Sequence, residues 1–157
     1  MVQEKLPHLL SLRDYAYRLL ARRAYSQLEL AEKLLAKGFS TEAVNRTVAH
    51  LVADGYVNDE ALIADRIERL RTRGLSAVAI RAKLTHQGLP VTSIEATIGQ
   101  EPGTAEQDAA RRLLASRFSL DALKQPQHYA RAFRLLTRHG YAQDVIERAL
   151  GEAPGDD

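Results

Sequence analysis

The stretch Leu30-Ala31-Glu32-Lys33-Leu34-Leu35-Ala36-Lys37-Gly38-Phe39 carries apolar residues at helical spacing and stops on a glycine. The same frame returns around Gly88 and Gly140. Leu34, Leu84 and Leu136 stand four before these glycines, and Leu30, Ile80 and Ala132 stand eight before. Downstream, Val44, Ile94 and Ile146 come at plus six, and Val48, Ile98 and Leu150 at plus ten. The glycines are 50 and 52 residues apart, which is the signature of an internal repeat.

The frame has a physical reading. A helix often ends with glycine just beyond its cap, where the backbone turns left-handed and side chains are disfavoured. In such a corner the next residue packs back on the helix, pairing Phe39 with Leu34, Leu89 with Leu84 and Tyr141 with Leu136. Each unit therefore holds a helix, a glycine-closed corner and a second helix. A further helix precedes each pair, over residues 12–23, 59–73 and 104–117. Ser26 with Glu29 forms a capping box, Ser76 takes the matching place in the second unit with Ala79 for the Glu, and Arg23 and Arg73 stand three before these serines. In the third unit the matching position is His128, and segment 119–127, with Pro126, reads as an inserted loop.

The expectation is an all-α protein of three tandem three-helix repeats, forming an elongated, curved array. Residues 1–10 read as an N-terminal tail, 11–58, 59–101 and 102–151 as the repeats, and 152–157 as an acidic tail. A compact globule is the alternative arrangement. At 157 residues the chain has the length of one domain or one short array.

Composition narrows the function classes. Cysteine is absent, so disulfides are excluded and a cytoplasmic location is the expectation. No apolar run is long enough for a membrane span, and no signal peptide is visible. The net charge is +2, but Glu152, Asp156 and Asp157 lie at the very end, leaving residues 1–151 at +5. A mildly basic body is compatible with an acidic partner or with nucleic-acid phosphates. The glycines are dispersed, without the clusters that cradle a nucleotide. The five histidines, His8, His50, His86, His128 and His139, are single, so no metal site is expected. Asp54, Asp59 and Glu60 cluster at a unit boundary, where Asp59 reads as a helix N-cap with Glu60 beside the positive end of the dipole. No catalytic constellation and no cofactor are expected, and the chain reads as a binding module rather than an enzyme.

The positive features are basic stripes. Arg66, Arg69 and Arg73 stand at i, i+3, i+7 on one helix, and Arg131, Arg134 and Arg138 repeat that spacing in the third unit. Such stripes meet partner carboxylates or phosphates. They also serve as solvated faces threaded with ion pairs, as Asp65 with Arg69 and Glu29 with Lys33 would be.

The residues also resemble a known family. Leu19-Leu20-Ala21-Arg22-Arg23, Ser26 with Glu29-Leu30, Lys33-Leu34 and Lys37-Gly38-Phe39 carry the likeness. It continues through the run from Leu51-Val52-Ala53-Asp54-Gly55-Tyr56 to Val57-Asn58-Asp59, then Arg73-Gly74, Ile80-Arg81-Ala82-Lys83-Leu84 and Gln87-Gly88-Leu89. Over roughly residues 11–150 the chain resembles the bacterial RecX regulatory proteins. Tyr25, where the family usually shows His, Leu62, where it usually has Phe, and Ser76, where Gly is common, depart from the pattern. The resemblance implies a cytoplasmic role in homologous recombination, DNA repair and the SOS response. The protein would lie in the groove of the RecA filament and restrain its ATPase, strand-exchange and coprotease activities. Arg66, Arg69, Arg73, Arg81, Lys83, Arg131, Arg134 and Arg138 are then the candidate contacts to RecA or DNA, with Gly38, Gly88 and Gly140 as structural corners and the protein acting as a monomer. A winged-helix DNA-binding regulator is the competing reading of 26–58, and it requires a β-hairpin after Val57.

Overall fold

A computed structural model describes residues 11–99 and 104–154. The tail expected at 1–10, the end of the acidic tail at 155–157 and the junction at 100–103 lie outside them. The described chain is helical throughout. Its helices are α1 (Leu12–Leu20), α2 (Gln27–Ala36), α3 (Thr41–Ala53), α4 (Asp59–Thr72), α5 (Ala77–His86) and α6 (Val91–Ile98). After these come α7 (Ala105–Ala115), α8 (Leu120–Leu123), α9 (Pro126–Arg138) and α10 (Gln143–Leu150). Beyond Val57 the chain enters α4, so a helix stands where a winged helix would place its hairpin. The chain divides into two compact units, residues 1–62 and 63–157, with the division inside α4.

The repeat frame sets the cores. Leu34, Leu84 and Leu136 are fully buried, as are Leu30, Val44 and Ala132, and Ile80, Ile94 and Ile146 nearly so. In the first repeat α1, α2 and α3 pack on one another around Ala16, Leu30, Leu34, Val44, Leu51 and Val57. In the second, Ile63, Ile67, Ile80, Leu84 and Ile94 are buried along α4 to α6. Ala110, Leu113, Leu114, Ala132, Leu136, Tyr141 and Ile146 form the core of α7, α9 and α10.

The glycine corners have the anticipated geometry. Gly38, Gly88 and Gly140 have φ of 101°, 77° and 87°. Phe39 N donates to Leu34 O at 3.4 Å, Leu89 N to Leu84 O at 3.2 Å and Tyr141 N to Leu136 O at 3.2 Å. With Gly38 N on Leu35 O at 2.9 Å, and its counterparts in the other repeats, this is the double bond pattern of a Schellman corner. The starts of the helices are equally local in origin. Ser26 Oγ accepts from Glu29 N at 3.1 Å while the Glu29 carboxylate accepts from Ser26 N at 2.9 Å, closing the capping box. Ser76 Oγ accepts from Ala79 N at 3.1 Å.

The structure corrects two local expectations. Asp59 is not the N-cap of α4: Asn58 is, its Oδ1 accepting from Ala61 N at 3.0 Å. Asp59 instead sits at the first helical position and reaches back to Gln27 N, at 2.9 Å, the first N–H of α2. The second repeat uses the same device, with Glu106 at the start of α7 accepting from Ala77 N, the first N–H of α5, at 2.8 Å. Ser26 and Ser76 each satisfy the N3 donor of their helix, and a carboxylate from the next repeat satisfies the N1 donor. Asp59→Ala is expected to lower stability by about 0.5–2 kcal/mol, the range for losing a cap, read as a shift in urea midpoint. An unchanged midpoint would show that water replaces the carboxylate without loss.

The other correction concerns segment 119–127. It is not a simple loop, because Ser119 caps the single turn of α8, its Oγ accepting from Ala122 N at 3.2 Å. Pro126 then opens α9 at its first position, where a missing N–H loses no helical bond. The first helix of each repeat also stops a little short of the expected bounds, at Leu20, Thr72 and Ala115.

The second and third repeats interlock at their corners. Ser76 N donates to His139 O at 3.0 Å, and Ser76 Oγ donates to Gly140 O at 2.7 Å. Tyr141, 5% exposed, donates its hydroxyl to Gly74 O at 2.9 Å. Burial, then the nearby Glu106 carboxylate, pushes the Tyr141 phenol up to about 12, with Arg112 opposing. Below pH 10 the proton stays on in folded and unfolded chains alike and the contribution is complete. Above it the unfolded chain ionises first, so stability falls until the folded phenol ionises too, with a slope approaching about 1.4 kcal/mol per pH unit. Tyr141→Phe is expected to remove that part of the alkaline loss when urea midpoints are compared from neutral pH upward. Parallel pH profiles for the two proteins would contradict it.

Candidate partner-binding face

The expected cationic residues fall into two environments. On α4, Arg69 Nε pairs with Asp65 at 3.0 Å, the ion pair anticipated from the spacing, and Arg66 Nη1 donates to Gln87 Oε1 at 2.9 Å. On α5, Arg81 Nε donates to Glu95 Oε1 at 2.7 Å, while Lys83 is exposed. Arg73 is exposed at the end of the α4 stripe. Much of this charge is therefore engaged within the fold.

The third repeat is arranged differently. α9 is amphipathic: Ala132 and Leu136 face the core, and Arg131, Arg134 and Arg138 lie exposed on the other side. The turn of α8 packs on α9. Between them opens a groove of about 590 Å³ lined by Arg131, Arg134 and Arg138, and also by Arg117 and His128. Phe118 and Leu135 give it an apolar floor. No carboxylate lines it, and among the described residues none of these four arginine side chains makes an ion pair or a hydrogen bond. Ser119 and His128 both border the groove, but the serine hydroxyl is held as the cap of α8. What the arrangement offers is several available guanidinium donors for oxygen anions. Among the described residues no group of three His, Asp or Glu side chains is placed to hold a metal ion, and no helix is long and apolar enough to cross a membrane.

Sequence reading found the three α9 arginines and missed the two residues that complete the groove. His128 lies one turn before Arg131 on the same face, so extending the i, i+3, i+7 series backwards would have found it. Arg117 comes from the connection between α7 and α8, and no spacing rule within one helix could have linked it to the others.

The comparisons with known proteins agree with this architecture. The family described as RecX, first three-helix domain, matches residues 13–51, the span of α1 to α3. The Regulatory protein RecX of Stenotrophomonas maltophilia strain R551-3 is 34% identical over 139 residues, covering 88% of this chain and 84% of that one. The chain belongs to the RecX family. A second RecX relative, from Legionella pneumophila strain Corby, is 30% identical over 144 residues, covering 88% of this chain and 92% of its own. Both relatives are named as regulatory proteins. The crystal structure of RecX from Lactobacillus salivarius has the same fold, with a TM-score of 0.72 at 15% identity, covering 88% of this chain and 92% of that one. The tandem helical units are thus the RecX architecture, and the α8–α9 groove belongs to the third of them.

Proposed function

We propose that this RecX-family chain binds the RecA filament on single-stranded DNA and restrains its ATPase, strand-exchange and coprotease activities. The observation that carries the reading is the α8–α9 groove, whose arginines have no partner among the described residues and no carboxylate among the lining ones. Burying such charges away from water is unfavourable unless a partner supplies oxygen anions, so an array left open in the isolated chain is suited to meet them in a complex. Arg131, Arg134, Arg138, Arg117 and His128 form the principal contact. Arg73 and Lys83 act as outlying cations, and Arg66, Arg69 and Arg81, held by Gln87, Asp65 and Glu95, contribute less.

The binding step is tested by co-sedimentation. The protein is expected to pellet saturably with RecA filaments assembled on single-stranded DNA, and far less with the DNA alone. Equal recovery on naked DNA would replace the protein partner with nucleic acid and overturn the reading.

A further inference from the structure

Two cavities open side by side on the third repeat, and they differ in chemistry. One is the cationic groove. The other, of about 470 Å³, is walled by Leu114, Leu120, Leu123 and Ala149, with Arg111 among its lining residues. They share Phe118 and Ser119, the residues that connect α7 to α8. Leu120 is 84% exposed, more than any other large apolar side chain among the described residues. It opens the one-turn helix and adds nothing to the core, yet it forms part of the wall of the second cavity. The one acid on α8, Asp121, is paired with Lys124 at 2.8 Å, so the strip between the cavities is not made anionic by it.

We infer that the paired cavities are one docking site for an acidic peptide segment that carries a large apolar anchor residue. The anchor enters the pocket beside Leu120, and the flanking carboxylates lie along Arg117, Arg131, Arg134 and Arg138. A carboxylate accepts two parallel N–H bonds from a guanidinium, and several along one groove fix the direction of the segment. The aliphatic pocket decides against nucleic acid. Phosphates would satisfy the arginines, but sugar and phosphate gain nothing from Leu and Ala walls, and bases stack on aromatic platforms, of which the site offers only the half-buried Phe118 and the imidazole of His128, both lining the cationic groove. The inference rests on the reading of this face as the partner-binding one and specifies the chemistry of what binds there.

The test titrates the full-length chain against fluorescein-labelled probes and reads anisotropy. One probe is a short peptide rich in Asp and Glu with a central Leu-Phe pair, another is the same peptide with both apolar residues changed to Ser, and a third is an oligothymidylate. The Leu-Phe peptide is expected to bind about tenfold or more tightly than its Ser counterpart, since an anchor buried in a pocket carries most of the discrimination. Leu120→Ser, at an exposed position that the fold does not need, should remove that preference and leave oligothymidylate binding unchanged. Arg131→Ala with Arg134→Ala should weaken both peptides. Equal binding of the two peptides, no peptide binding, or an oligothymidylate that outcompetes the Leu-Phe peptide would each overturn the inference. So would a dimer that Leu120→Ser dissociates, because the pocket would then hold a second copy. Inhibition of RecA ATP hydrolysis, measured in parallel, separates the two readings. Retained inhibition without peptide binding removes this inference alone, whereas peptide binding without inhibition supports it and removes RecA as the target.

Discussion

Gly140→Ala is expected to destabilise the protein by about 3–5 kcal/mol, against about 1–2 kcal/mol for Gly38→Ala. Both glycines close a helix in the left-handed region, where an L side chain costs about 1–2 kcal/mol. The difference lies in their surroundings. A Cβ on Gly38 would meet nothing within 4 Å, while one on Gly140 would lie 2.7 Å from Ala79 Cβ and 2.8 Å from Ser76 Oγ. Neither neighbour can turn away. Ala79 has no rotamer to change, and the Ser76 hydroxyl is committed to Gly140 O and to Ala79 N. Overpacking of this kind adds about 1–3 kcal/mol, and loss of the Ser76 bonds would leave a 1% exposed hydroxyl without its partners. Urea unfolding of the two variants reads the difference directly. Equal losses would mean that the corner between the second and third repeats yields without strain and is not a fixed joint.

The other large effect is expected in function. Reversing Arg131, Arg134 and Arg138 together to Glu should weaken RecA inhibition by about tenfold to a hundredfold, because truncating or reversing charges that meet carboxylates in a complex leaves the partner's charges unpaired. The same reversal at Arg66, Arg69 and Arg73 should weaken it less, since Arg66 and Arg69 already bond within the chain. The fold should survive the α9 change, as all three side chains are exposed and have no partner among the described residues. The readout is the protein concentration that halves ATP hydrolysis, with helicity by circular dichroism as the control. A larger loss from the α4 triple than from the α9 triple would shift the contact to the second repeat.

The contrast between Gly38 and Gly140 also marks what is legible in the chain without a structure. Identical frames around three glycines specify helix, corner and helix, because the determinants are local: a left-handed residue, an apolar clasp and a capping serine. What differs between the copies depends on residues far apart in sequence. Ser76 meets Gly140, and Tyr141 meets Gly74, across more than sixty positions. No periodicity encodes such a meeting. The Asn58-Asp59 pair shows a subtler limit, because both side chains can cap a helix and only the position of Gln27 N decides which does. Pro126 is legible as a break but not as a beginning, since proline stops one helix and suits the first turn of another for the same reason. On the binding face, the α9 stripe is visible as spacing. The groove is not, because Arg117 joins it from the connection after α7 and the one-turn α8 forms its opposite bank.

The most direct test of the central claim is the rate of ATP hydrolysis by RecA on single-stranded DNA as this protein is added. The expected result is a saturable fall in rate with wild-type protein, and a marked loss of that effect when Arg131, Arg134 and Arg138 are reversed. A rate that stays constant at every ratio, with protein that is folded and soluble, would contradict the account.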